Sequence, residues 1–164
     1  MPLRSRERLL DYNHWANGRL FLVLAELTDE EFTRNVAGSY GSIRNTMVHL
    51  LSAEWGWIER CGGPARGAAL KAADHPTLAS VIARWQEIEQ LAREFLASLT
   101  PADLERTVEW TLGDAPPRQS RVGDLLEHGV IHAVHHRGQV ALLLRMMGHA
   151  PGNFDLLFYD QREG

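Results

Sequence analysis

The sequence predicts an all-α protein built as a four-helix bundle. Four long stretches carry apolar residues at three- and four-residue steps, the period of a helix. Capping residues and glycine stops stand at their ends. The strand signal is confined to one short alternating stretch late in the chain. Amphipathic helices without a sheet to cover must bury their stripes against one another, which gives a bundle.

The first helix is expected from about Arg6 to Leu27, with Leu9, Leu10, Tyr12, Asn13, Ala16, Leu20, Val23, Leu24 and Leu27 forming its stripe. The second begins near Ser42, a good cap for the free amides of a first turn. It carries Ile43, Met47, Leu50, Leu51, Trp55 and Ile58, and stops before Gly62-Gly63-Pro64. After a Gly- and Ala-rich loop, the third starts near Thr77 and runs through Val81, Trp85, Ile88, Leu91 and Phe95 to Leu99. The fourth runs from about Ser120 to Met147 and ends at Gly148, a residue suited to a left-handed stop. Its apolar positions Val130, Ile131, Val134, Ala141, Leu142 and Leu144 are expected to supply packing.

Two shorter segments echo each other. LTDEEFTRNV at 27–36 aligns with LTPADLERTV at 99–108. Each has a Thr followed three residues later by an acid, the pattern of a reciprocal helix cap. Thr28 with Glu31 and Thr100 with Asp103 therefore predict two short capped helices, the second opening on Pro101. Between that segment and the fourth helix, Val108, Trp110 and Leu112 alternate. Gly113-Asp114 and Pro116-Pro117 then mark a turn, so a small hairpin is expected.

Residues 1–164 are read as one domain, long enough to bury a core. A net charge of −4 with intermixed signs gives no basic stripe for nucleic acid. The single cysteine, Cys61, excludes an internal disulfide and suits a reducing compartment. MPLRSRERLL lacks the apolar core of a signal peptide, and runs such as VALLLRMM are too short to span a bilayer. A cytoplasmic protein without a membrane partner is the expectation.

The unusual feature is HGVIHAVHHRGQV at 128–140, where half of the chain's eight histidines fall within nine positions. His128, His132 and His136 recur every four residues and so share one helix face. His135 flanks that face, and Gln139 lies one step along it. Two histidines at this spacing can grip one ion, and a third ligand must come from elsewhere. His75 and His149 lie at loop positions and His14 in the first helix. His49 sits amid Asn45, Thr46, Ser52, Ala53 and Gly56, the small, polar side of the second helix, where a ligand has room. The candidate trio is thus His49, His132 and His136. The plainer alternative is a solvated or hydrogen-bonded histidine face. Crowded rings would repel if protonated, and each would cost about 1–3 kcal/mol if buried unpaired; a cation removes both difficulties. The HExxH motif of zinc proteases is absent, because Ala133 follows His132.

At these residues the chain resembles the DinB/YfiT-like family of damage-inducible bacterial proteins. The likeness rests on YNHWANGRL at 12–20, SIRNTMVHLLSAEWGWIER at 42–60 and LLEHGVIHAVHHRGQV at 125–140. It implies a four-helix bundle with one divalent metal, zinc, nickel or another transition ion, held by His49, His132 and His136. It implies homodimers, and places His128 and His135 beside the ligands. Relatives include mycothiol-dependent maleylpyruvate isomerases and bacillithiol S-transferases. A thiol-dependent transferase using a low-molecular-weight thiol and a small-molecule substrate is therefore expected. The alternatives are a metal-dependent hydrolase and a non-catalytic metal-binding protein of the stress response.

Other residues invite weaker readings. Asn17 fits the family's opening motif, but a buried amide bridging helices is the role favoured for it. Arg137 would either clamp an anionic group at the pocket or pair with a neighbouring helix. Trp55 and Trp57, two apart, must face different sides, so one of them should reach the pocket mouth or a dimer surface.

Overall fold

The computed structural model describes residues 3–36, 38–65 and 67–160. Four long helices form the bundle: α1 (Leu3–Leu24), α3 (Ile43–Arg60), α4 (Leu78–Ser98) and α6 (Val122–Met146). Two short helices, α2 (Asp29–Thr33) and α5 (Pro101–Glu105), follow α1 and α4. A two-stranded antiparallel hairpin pairs β1 (Thr107–Trp110) with β2 (Arg118–Arg121), and α7 (Leu156–Asp160) closes the described chain. No described helix is long and apolar enough to cross a membrane.

The helix boundaries have local causes. Ser42 and Thr77 accept from the backbone amides of Asn45 and Ser80, opening α3 and α4. Both short helices carry the complete reciprocal cap: Thr28 with Glu31, and Thr100 with Asp103, whose shorter side chain still reaches the Thr100 amide at 2.8 Å. The helix α6 starts at Val122 rather than near Ser120, because residues 118–121 are taken by β2. It ends where Gly148 turns left-handed at φ 87°, as expected.

Helix α6 packs on α3 and α1, and α4 closes the ring against α3 and α1. The main core joins Leu20 and Leu24 of α1, Met47, Leu50, Leu51 and Trp55 of α3, Val81, Trp85 and Ile88 of α4, and Ala133, Val140, Leu143 and Leu144 of α6. A second cluster, with Trp57, Ile58, Cys61, Leu104, Leu125 and Leu126, continues it towards the hairpin. At the start of α6, Gly123 lets Arg6 lie flat on the helix and reach Glu127 at 2.7 Å; a Cβ there would come within 2.8 Å of the guanidinium.

One expectation for the last long helix needs correction. Val130, Ala141 and Leu144 are buried, but Ile131, Val134 and Leu142 are 67%, 44% and 58% exposed. With about 100° per residue, the buried face of α6 is centred on Ala133, Val140 and Leu144. Ile131, Val134 and Leu142, joined by the 64% exposed Met146, form a second apolar stripe that faces outward.

Candidate metal centre

The pairing of α3 with α6 brings three imidazoles together. His49 comes from the middle of α3, and His132 and His136 from successive turns of α6. Their ligand atoms all lie within 4.8 Å of one another. The Nε2 atoms of His132 and His136 are 3.1 Å apart, and the His49 ring centroid lies 5.5 and 4.6 Å from theirs. A tetrahedral ion with bonds of about 2.0–2.1 Å separates its donors by about 3.4 Å, so small side-chain adjustments complete the fit. The donor set, three imidazoles with room for a further ligand, suits a borderline transition metal.

The family model described as "DinB family" matches residues 1–163, nearly the whole chain. The chain belongs to the DinB family. "Protein DinB" of Bacillus subtilis (strain 168) is 27% identical over 157 residues, covering 93% of this chain and 91% of that protein. A second protein of that strain, "Uncharacterized protein YizA", is 25% identical over 153 residues, covering 88% and 89%.

In this DinB-family chain the three candidate ligands are neutral rings near pH 7. Burial, and then the neighbouring His136, push His49 down to about 4; burial and the surrounding histidines do the same to His132. Burial also lowers His136 and His128. A neutral ring is the form that offers a lone pair to an ion. Gln139, one turn on, fixes one tautomer: His136 Nδ1–H donates to its Oε1 at 2.7 Å, which leaves the Nε2 lone pair facing His132 Nε2. The same amide donates from Nε2 to His135 at 3.0 Å, and its oxygen accepts from Ser39 Oγ at 2.8 Å. His132 Nδ1 is buried with no hydrogen-bond partner among the described residues.

Tyr40 was not singled out by sequence reasoning. It lies in the GSYGS loop before α3, stacks on His49 with centroids 4.0 Å apart, and brings its hydroxyl to 2.9 Å from His49 Nε2. Ser39 beside it sits in the left-handed region at φ 48°, held by bonds to Gln139 and Thr46. The available signal was an aromatic residue between glycines just ahead of the α3 cap.

The other candidates divide. His128 lies 5.9 Å from His132, and its ring meets Trp57 edge to face at 4.5 Å, so it borders the site; His135 lies 4.9 Å from His136. Arg137 and Asn17 are buried behind the imidazoles. Arg137 is one position, about 100°, beyond His136, and this turns it from the cleft into the core, where it is 1% exposed. Its NH1 donates to Asn13 Oδ1 at 2.6 Å and Asn17 Oδ1 at 2.7 Å, and its guanidinium lies over Tyr12. The amides of Asn13 and Asn17 donate in turn to Glu54 of α3, whose carboxyl is pushed up by burial. This network fastens α1, α3 and α6 together behind the imidazoles. Trp55 joins the main core while Trp57 lines the cleft, the division that their spacing requires. Burial pushes the Cys61 thiol up to about 12, which leaves it a poor nucleophile.

Proposed function

We propose that this chain is a metal-dependent enzyme that joins a low-molecular-weight thiol to a small electrophile, with His49, His132 and His136 as the metal ligands. The observation that carries this is the convergence of three neutral imidazoles, two of which, His49 and His132, line an open cleft. A divalent ion bound there supplies Lewis acidity and lowers the pKa of a thiol or water that reaches it. The chain's own residues do the rest. Gln139 orients His136, and the Tyr40 hydroxyl stands where it can take or return a proton at the cleft mouth. No Asp or Glu is among the described residues lining the cleft, so these supply none of the carboxylate base that metal-assisted hydrolysis generally employs. This ranks a hydrolase second.

The outward stripe of Ile131, Val134, Leu142 and Met146 on α6 supports assembly as a homodimer, since contiguous exposed apolar surface marks interaction sites. That face lies next to the histidine face on the same helix, so a second copy would border the cleft.

Elemental analysis of protein purified without a histidine tag should find about one transition-metal ion per chain, and His49→Ala should lose it. A panel of small thiols assayed with 1-chloro-2,4-dinitrobenzene should then give turnover that falls at least a hundredfold in His49→Ala. Stoichiometric metal with no turnover for any thiol would favour the non-catalytic stress-response role instead.

A further inference from the structure

The cleft beside the imidazoles does not end at them. It continues as a groove of about 520 Å³, large enough for a small organic molecule. Tyr40, Ala53, Trp57, Ala69, Trp110 and Leu112 form its walls, with His49 and His132 at one side. Most of that surface is apolar.

The walls are built in advance. Trp57 and Trp110 meet edge to face at 5.6 Å, and the Trp110 indole donates to Ser120 at 3.0 Å, so the hairpin holds its ring in place. The Arg60 guanidinium donates twice to the Thr111 carbonyl, at 3.2 and 3.0 Å, and once to that of Gly56, which ties the end of β1 to α3. Leu112, next in the chain, is 58% exposed at the rim. A preformed pocket of this kind binds without the ordering cost of assembling it. Among the described residues the ionisable lining groups are Tyr40, Arg60 and histidines, with no carboxylate, so their field disfavours a cationic ligand.

We propose that this groove receives a flat aromatic group carried by a neutral or anionic small molecule whose donor end meets the three imidazoles. The aromatic walls supply stacking and edge contacts that an aliphatic chain of equal length cannot match. Ala53, one turn after His49 and one turn before Trp57 on α3, lines the groove between them. This inference rests on the metal centre proposed above.

Calorimetric titration of the zinc-loaded protein with two hydroxamates separates the two ideas. Acetohydroxamate and benzohydroxamate carry the same chelating head, and only the second has a ring to seat in the groove. The ring should tighten binding about tenfold or more. Ala53→Leu, which fills that stretch of the groove, should abolish that gain while acetohydroxamate binding survives. Equal affinities for the two compounds, or a preference for benzohydroxamate that persists in Ala53→Leu, would overturn the groove assignment and leave the metal centre standing. Failure of zinc to load, or of acetohydroxamate to bind the loaded protein, would overturn both.

Discussion

A histidine makes a dependable ligand only when its second ring nitrogen is engaged, because that bond fixes both tautomer and orientation. At His136 the task falls to Gln139. Gln139→Ala should leave all three imidazoles present yet weaken metal binding by about 10–100-fold, measured by competition with a chromogenic chelator. An unchanged affinity would mean that packing alone orients the ring. The rings also carry a pH signature. Folding holds His49 and His132 down near 4, against 6.5 for an unperturbed histidine. Between those values the unfolded chain binds more protons than the folded one, so stability rises with pH across the window. Metal-free protein should therefore keep its full urea midpoint above about pH 6.5 and lose part of it progressively towards pH 4. His49→Leu should flatten that slope; an identical slope would exclude the imidazole as its source. The pair spacing on α6 and the small-residue setting of His49 made this trio legible in the sequence. Tyr40 was not legible, because a loop side chain's contacts follow from how α3 and α6 dock and not from any local period.

At the scale of elements, the caps were the most readable features, since a reciprocal cap is encoded within four residues. Thr100→Ala should destabilise by about 1 kcal/mol in urea denaturation, and Thr28→Ala similarly. Losses below a few tenths would mean that solvent replaces the caps at no cost. The long helices were plain from their periods, but the period alone ran the first helix on to Leu27, whereas α1 spans Leu3–Leu24 and residues 25–27 turn towards the Thr28 cap. What the period could not tell was which apolar stripe of α6 faces inward, because Ile131, Val134 and Leu142 look as well placed as Val130 and Leu144 until the partner helices are known. The direction of Arg137 was hidden for the same reason. Its place is in the joint between α1, α3 and α6, where Asn13 and Asn17 stand between it and Glu54. Arg137→Met would strand these polar groups in the core and should cost about 3–5 kcal/mol. Glu54→Gln added to Arg137→Met should recover part of the loss. Absence of any recovery would show that the arginine acts through packing alone.

For the whole molecule, the fold class followed from four amphipathic segments that have only each other to cover. The short α7 gave no comparable signal, because five residues are too few for a period to declare itself. The proposed homodimer would use the outward face of α6. Leu142→Glu should shift sedimentation from a dimer to a monomer, while helical content stays unchanged because the side chain is already in solvent. A monomeric parent protein would refute this use of the face.

The imidazoles are also far apart along the chain, one on α3 and two on α6. During synthesis a ribosome exposes His49 long before His132 and His136 emerge. Until α6 has left the exit tunnel, an ion at the proposed centre would have at most one of its three protein ligands and would readily exchange away. Metal capture by the proposed trio is therefore a late event, and a message broken ahead of α6 would yield a product without that site.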